Sequence, residues 1–112
     1  MPKGDSLGEF ELCVMLALTH LKPHAYGMTI RQEIEARTGR DLAIGSVYAT
    51  LSRLEEKGLV RFDLSEPLPI QGGRARKFYS LTPAGERALS GTVSMLTSML
   101  RGWAPRRKPN EV

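Results

Sequence analysis

The segment from residue 45 to residue 64 restricts the fold most strongly, because it joins an amphipathic helix directly to an alternating strand. In GSVYATLSRLEEKG, Val47, Leu51 and Leu54 fall on one apolar face when successive residues are placed about 100° apart. Gly58 ends this helix, and LVRFDLS then alternates apolar with polar residues, as a half-buried strand does. A helix and a strand that each bury one face must share a core, so the chain is predicted to combine both.

Two further helices are predicted before this segment. SLGEFELCVMLALTHL begins with Ser6 and Glu9 at the spacing of a capping box, and a helix follows over about residues 7–21. Apolar residues cover most of the circumference of this helix, so more than one surface must cover it, one of them in a second subunit. After a break at Pro23, AYGMTIRQEIEARTG predicts a second helix that is capped by Gly39.

The second half of the chain adds another strand and a long helix. RARKFYSL follows a turn rich in proline and glycine, and it completes a β-hairpin with the first strand. Thr82 and Pro83 have the residue types of a helix N-cap and first helical position, and the helix is predicted to run to Trp103. Residues at heptad spacing along it predict a face that packs against another helix: Leu89, Val93, Leu96, Leu100 and Trp103.

Length and composition predict one cytoplasmic domain. A chain of 112 residues supports one core, and it contains no apolar run of the roughly 18 residues that a membrane span requires. The polar start MPKGDS does not resemble a signal peptide, and the single cysteine, Cys13, cannot form an intramolecular disulfide. Cys13 on an apolar helix is interpreted as a small buried hydrophobe, with redox sensing as the alternative.

Positive charge is concentrated in the C-terminal half of the chain. The formal net charge is +4, divided as −1 over residues 1–60 and +5 over residues 61–112. The densest cluster, Arg74, Arg76 and Lys77, lies on the second strand with no acidic residue among its members. Such a cluster favours a polyanionic partner, and the alternative is that the charges only prevent edge-to-edge aggregation of the hairpin.

The order of three helices, a hairpin and a long helix is typical of a winged helix-turn-helix, an α+β fold that is mainly α. In that arrangement the third helix enters the major groove of double-stranded DNA and the hairpin wing flanks it. The residues predicted to meet base edges or nearby backbone are Ser46, Ala49, Thr50 and Arg53. The backbone N–H groups of Gly45 and Ser46, at the start of the helix, can receive a phosphate. The residues predicted to hold phosphates are Tyr48, Arg74, Arg76 and Lys77.

Four segments together resemble the PadR family of bacterial transcriptional regulators: LGEFELCVMLAL, AYGMTI, GSVYATLSRLEEKGLV and GGRARKFYSLTPAG. They occur in the family order and cover about residues 7–89. The resemblance implies a homodimeric DNA-binding repressor whose first and last helices form the dimer interface, in some members around a ligand cavity. This chain has Ala43 and Ile44 where many members have a Ser-Pro pair, so the usual side-chain cap of the third helix is missing.

The single domain, residues 1–112, is accordingly divided into a winged helix-turn-helix at 7–81, a dimerisation helix at 82–103 and a mobile basic tail at 104–112. The predicted dimer interface comprises Phe10, Val14, Leu18, Leu89, Val93, Leu96, Leu100 and Trp103. A candidate effector pocket for a small aromatic ligand comprises Met15, Met95, Met99 and Trp103. A dimer is expected to read a pseudo-palindromic operator with half-sites about 34 Å apart or a multiple of that distance.

No catalytic or metal-binding role is predicted for any residue. The chain has no nucleophile beside a base, no cluster of metal ligands and no phosphate loop, so no cofactor is expected. His20 and His24 have the spacing of a metal pair, but Pro23 interrupts the helix which that spacing requires. The alternative function is a winged-helix protein–protein adaptor that does not bind DNA, which Glu55 and Glu56 on the third helix favour.

Overall fold

The computed structural model describes residues 7–64 and 76–105. Its elements are α1 (Glu9–Leu21), α2 (Gly27–Thr38), α3 (Ile44–Glu56), β1 (Val60–Leu64), β2 (Lys77–Leu81) and α4 (Pro83–Leu100). This is the order that the sequence predicts. In the described part of the chain, no helix has both the length and the apolar character that crossing a membrane requires. Most of the predicted basic tail, residues 106–112, lies outside the described residues.

One apolar core is built by α1, α2, α3, the hairpin and the first turns of α4. Helix α1 is at its centre, in contact with α2, α3, β2 and α4. Burying a side chain of valine, leucine or isoleucine size stabilises the fold by about 1.5–3 kcal/mol. The core residues that decide the packing of these elements are Val14, Met15, Leu18, Ile30, Ile34, Val47, Leu51, Leu54, Val60, Tyr79 and Leu89.

The start of α1 differs from the predicted capping box. Gly8 is the N-cap, and its backbone N–H donates to Oε1 of Glu11 at 2.9 Å, so Glu11 has the role predicted for Glu9. The Glu11 carboxylate also accepts two hydrogen bonds from Nζ of Lys57, at 2.9 and 3.2 Å. Because Lys57 is the C-cap of α3, this buried carboxylate joins the beginning of α1 to the end of α3.

The turn between α2 and α3 is held by the end of α2. Gly39 caps α2 with φ of 72°, a conformation that favours glycine, and its N–H donates to the carbonyl of Glu35. The Glu35 side chain then accepts from the backbone N–H of Leu42 at 2.9 Å and from Arg31. The hydrogen bond from Leu42, together with the charge of Arg31, holds the pKa of Glu35 below its ordinary value.

The hairpin is antiparallel, with Val60 opposite Leu81, Phe62 opposite Tyr79 and Leu64 opposite Lys77. Tyr79 is buried, whereas Leu64, predicted on the buried face, is exposed near the end of β1. The predicted turn EPLPIQGG and Arg74, the first residue of the predicted second strand, lie outside the described residues.

Helix α4 begins as predicted but ends earlier. Oγ1 of Thr82 accepts from the N–H of Gly85 at 3.0 Å, and Pro83 occupies the first helical position. The helix ends at Leu100, so the prediction that it reaches Trp103 is wrong. Gly102, with φ of 85°, permits the turn that carries the chain away from the helix axis. Beyond Leu89, nearly every residue of α4 is exposed, so its second half projects from the core.

Candidate nucleic-acid interface

The N-terminal half of α3 presents small side chains to solvent. Gly45, Ser46 and Ala49 are exposed, whereas Val47 and Leu51 face the core. No acidic residue lies in the first turn of the helix, and its N-cap, Ala43, makes no side-chain capping hydrogen bond. A helix surface of this kind lets the backbone approach another molecule closely, and the helix dipole favours a negatively charged group at this end.

Thr50 is not available for the base contact that the sequence analysis assigned to it. Its exposed fraction is 1%, because it follows Val47 by three residues and precedes Leu54 by four, on the same buried stripe. Its hydroxyl accepts a hydrogen bond from the guanidinium of Arg53 at 3.2 Å. Its spacing from Val47 and Leu54 is visible in the sequence, and that spacing identifies Thr50 as a core residue.

Arg53 is exposed, and its charge acts on α1 as well as on the surface. Burial raises the pKa of the Glu11 carboxyl, but the Gly8 N–H together with Lys57 and Arg53 outweighs that effect and holds this pKa below its ordinary value. Arg53 therefore lies near both the exposed face of α3 and the ion pair between the buried Glu11 carboxylate and Lys57.

Tyr48 lies against the first residue of α2. Its exposed fraction is 47%, so much of the ring remains at the surface. A Cβ placed on Gly27 would overlap the hydroxyl end of this ring and would lie 2.7 Å from its Cε1 atom. Glycine at position 27 therefore leaves the space that the Tyr48 ring occupies in this position. No local sequence pattern marks Gly27, because its contact is with a residue 21 positions later.

The two described cations of the wing, Arg76 and Lys77, lie on opposite sides of the hairpin, as successive residues of an extended chain do. The Arg76 guanidinium lies 4.3 Å from the ring centroid of Tyr26, and Nζ of Lys77 lies 4.3 Å from that of Phe62. Arg74, the third member of the predicted cluster, lies outside the described residues. Arg76 and Lys77 therefore contact different aromatic rings, on opposite sides of the hairpin.

An aromatic cluster that the sequence analysis missed lies beside Arg76. The ring of Phe78 makes edge contacts with Tyr26, at 5.8 Å between centroids, and with His24, at 6.1 Å. These residues join the α1–α2 connection to the root of the wing. No local pattern indicates this pairing, because the partners are about 50 residues apart.

Four of the residues predicted at the dimer interface or in the effector pocket are buried in the core of the same chain. They are Val14, Met15, Leu18 and Leu89. Their assignment was wrong because α2, α3, β2 and α4 of one chain already cover α1. Phe10 is half-buried and lies beneath the Arg40 guanidinium, at 5.5 Å.

The other predicted interface and pocket residues are exposed, and all lie in the second half of α4 or just beyond it. Leu96 is 37% exposed and Trp103 is 62% exposed. The exposed apolar face of α4 comprises Val93, Met95, Leu96, Met99 and Leu100, and Trp103 is exposed just beyond the helix. Met15 is fully buried in the core, whereas the other three residues of the predicted pocket, Met95, Met99 and Trp103, are exposed. Within residues 7–64 and 76–105, no group of three His, Cys, Asp or Glu side chains is arranged to hold a metal ion.

Three packed helices, an attached hairpin and an exposed α3 surface define a protein of the winged helix-turn-helix class. The family model of the transcriptional regulator PadR-like family matches residues 15–91, which is more than half of the chain. The chain belongs to this family of transcriptional regulators. The family resemblance seen in the sequence and the predicted fold class are thereby confirmed, and so is the prediction that the chain is not an enzyme.

Individual relatives agree with this assignment. The transcriptional regulator Rv3488 of Mycobacterium tuberculosis is 37% identical over 87 residues, covering 73% of this chain and 77% of that protein. A PadR-like transcription factor from Bacteroides fragilis has a similar structure, with a TM-score of 0.67 at 27% identity, covering 82% of this chain and 84% of the other. A PadR family transcriptional regulator from Eggerthella lenta gives a TM-score of 0.62 at 28% identity, covering 80% and 75% of the two chains.

Proposed function

We propose that this regulator is a homodimeric, cytoplasmic repressor that binds a pseudo-palindromic operator in double-stranded DNA. The observation that carries the proposal is the continuity of one surface. The exposed start of α3 leads through Tyr48 to the N-terminus of α2 at Gly27, and from there through Tyr26 to Arg76 of the wing. A recognition helix and a cationic wing on one surface suit the major groove and the phosphates beside it.

In this arrangement the residues of α3 divide into two groups. Gly45, Ser46 and Ala49 approach base edges, because their small side chains allow the helix to enter the groove, and Arg53 reaches bases or backbone further along. Tyr48 donates its hydroxyl to a phosphate. Thr50 takes no part, because it is buried.

Cations of the wing supply the salt-dependent part of the affinity. Arg76, Lys77 and Arg74 neutralise phosphates that flank the groove, and each contact releases counterions from the DNA. Binding therefore weakens as salt concentration rises. Removing a cation that contacts phosphate should flatten the slope of log affinity against log salt by about 0.9 per contact.

The dimer forms through the exposed apolar face of α4. Val93, Leu96 and Leu100 follow one another at intervals of three and four residues on the part of α4 that projects from the core. A second copy of the chain is the natural occupant, because a two-fold interface places the same stripe on both sides. The two recognition helices are then related by the same two-fold axis as the half-sites of a palindrome.

In this proposal a flat aromatic effector binds at Met95, Met99 and Trp103 and relieves repression. These side chains are exposed near the end of α4, and methionine adapts readily to aromatic surfaces. A panel of flat aromatic compounds is expected to raise the thermal unfolding midpoint of the dimer, and the loss of that shift in Trp103→Ala would locate the site. The absence of a shift across a broad panel would remove the effector from the proposal.

The DNA-binding proposal is tested with fluorescently labelled duplexes from upstream of the protein's own gene. We expect binding that weakens with salt, and a flatter salt slope in the Arg76→Ala/Lys77→Ala variant. An unchanged slope in that variant would contradict the assignment of the wing. Absence of binding at low salt to these duplexes and to random-sequence DNA would favour the adaptor function instead.

Dimerisation is tested separately by sedimentation. Leu96→Asp places a charge in the exposed apolar face of α4, and we expect a folded monomer, because Leu96 is not part of the core. Ser98→Asp is the matched control, because Ser98 is exposed on the opposite side of the same helix. A Leu96→Asp variant that remains dimeric would contradict the assignment of the interface to α4.

A further inference from the structure

The root of the wing is attached to the α1–α2 connection by backbone and side-chain contacts. The N–H of Tyr79 donates to the carbonyl of Ala25 at 2.7 Å, so the free edge of β2 runs beside the residues that precede α2. One residue earlier in β2, Phe78 packs its ring edge-on against Tyr26 with an interplanar angle of 76°. These contacts determine the position of β2 and of the residues just before it.

Tyr26 is itself held in place from two sides. It is the N-cap of α2, and its backbone N–H donates to Oγ1 of Thr29 at 3.0 Å. The Thr29 hydroxyl bonds back to the carbonyl of His24 at 2.9 Å, which closes the turn before the helix. With Phe78 against its ring, Tyr26 is a half-buried, well-supported aromatic side chain at the surface.

The Arg76 guanidinium lies over this ring. Its guanidinium carbon lies 4.3 Å from the ring centroid, within the range of a cation–π contact. Stacking uses the face of a guanidinium, whereas a phosphate binds at its edge, so the same side chain can make both contacts at once. Lysine has no planar group and cannot combine the two contacts in this way.

We propose that Tyr26 is a positioning residue for DNA binding, which orients the Arg76 guanidinium so that Arg76 and Tyr48 meet phosphates of the same stretch of backbone. Gly27 connects the two, because it follows Tyr26 in the chain and the Tyr48 ring lies against it. The α1–α2 connection thus belongs to the DNA-binding surface, through the arginine that it orients. This inference rests on the proposed DNA binding.

Stacking is tested first in the free protein, without DNA. The NMR signals of the Arg76 side chain, assigned by comparison with Arg76→Ala, should carry the upfield shift that an aromatic ring produces above its face. The shift should disappear in Tyr26→Leu and persist in Tyr26→Phe. Arg76 signals that are identical in the wild type and in Tyr26→Leu would overturn the proposal whether or not the protein binds DNA.

Positioning is tested with a double-mutant cycle on a duplex selected by the wild-type protein. Tyr26→Leu should weaken binding about two- to fivefold, the range that an exposed cation–π contact provides. The same substitution should have no further effect in the Arg76→Ala background and its full effect in the Lys77→Ala background, because the Lys77 ammonium lies over Phe62 and not over Tyr26. An equal loss in all backgrounds would show a purely structural role and would overturn the proposal.

Two conservative variants complete the test. Tyr26→Phe should bind as tightly as the wild type, and a loss equal to that of Tyr26→Leu would show that the hydroxyl itself binds phosphate, which overturns the positioning role. Arg76→Lys, at an exposed position, remains informative if Tyr26→Leu unfolds. It keeps the charge, so it should weaken binding without changing the salt slope, and unchanged affinity would overturn the proposal.

If the wild type binds no duplex, the proposed function fails, whereas the NMR result still reports on stacking.

Discussion

Replacing Gly85 with alanine tests how α4 is attached to the winged helix-turn-helix. Gly85 lies in the first turn of α4 and packs directly on the backbone of Leu59, the residue between α3 and β1. A Cβ at this position would overlap the Leu59 carbonyl oxygen and would lie 2.9 Å from its carbon. Because non-bonded carbons rest at about 3.5–4.0 Å, the start of α4 must move by roughly 1 Å.

That movement breaks the contacts that Thr82 makes with the same segment. Its N–H donates to the Leu59 carbonyl at 3.1 Å, and its hydroxyl donates to the Gly58 carbonyl at 2.7 Å. Two hydrogen bonds contribute about 1 kcal/mol each, and forced overpacking costs about 1–3 kcal/mol. The better helix propensity of alanine returns at most about 1 kcal/mol. We therefore expect Gly85→Ala to lower the free energy of unfolding by at least about 2 kcal/mol.

Thermal unfolding at one fixed protein concentration measures this loss. For a domain of about 100 residues, 2 kcal/mol corresponds to a midpoint lower by roughly 10 °C. Gly91→Ala is the matched control in the same helix, since nothing lies within 4 Å of a Cβ there. It should raise stability by about 0.5–1 kcal/mol. If Gly85→Ala is as stable as Gly91→Ala, the close attachment of α4 to Leu59 is refuted.

Three other changes have defined outcomes. Gly27→Ala should displace the movable ring of Tyr48. The affinity for DNA should therefore fall, while the thermal unfolding midpoint changes little. Unchanged affinity would show that the position of Tyr48 does not matter for DNA binding. Lowering the pH should destabilise the fold, because Glu11 and Glu35 have pKa values below their ordinary range in the folded chain. Their contribution is present above the unfolded pKa and is lost as pH falls through the folded values, so urea unfolding from about pH 6 to about pH 3 should show the loss. Glu35→Gln should reduce this pH dependence, and an identical pH profile would contradict its role in the turn before α3.

The elements that sequence reasoning predicted well depend on local signals. The apolar face of α3, the cap at Gly39 and the start of α4 at Thr82 each follow from residues within one or two helical turns. The hairpin followed from alternation in the first strand and from the turn residues that precede the second. Thr50 was a local error, because its polarity was given more weight than its spacing from buried neighbours.

The remaining differences depend on contacts between distant parts of the chain. Apolar residues around most of α1 predicted that several surfaces cover this helix. They did not show that the elements packed around α1 in the core all belong to the same chain. The contacts of Tyr48 with Gly27 and of Arg76 with Tyr26 join segments about 20 and 50 residues apart, and no periodicity reports them. These contacts make one candidate site from an exposed helix and a cationic hairpin.

Selection of bound sequences from a pool of random duplex DNA tests the central claim most directly, because it examines DNA binding, symmetry and spacing together. A homodimer that inserts one α3 per half-site should enrich a pseudo-palindrome whose half-sites lie about 34 Å apart or a multiple of that distance. A control selection with Leu96→Asp should lose the two-fold symmetry. No enrichment from the wild-type protein at low salt would contradict the account, and enrichment of a single, asymmetric half-site would contradict the dimer.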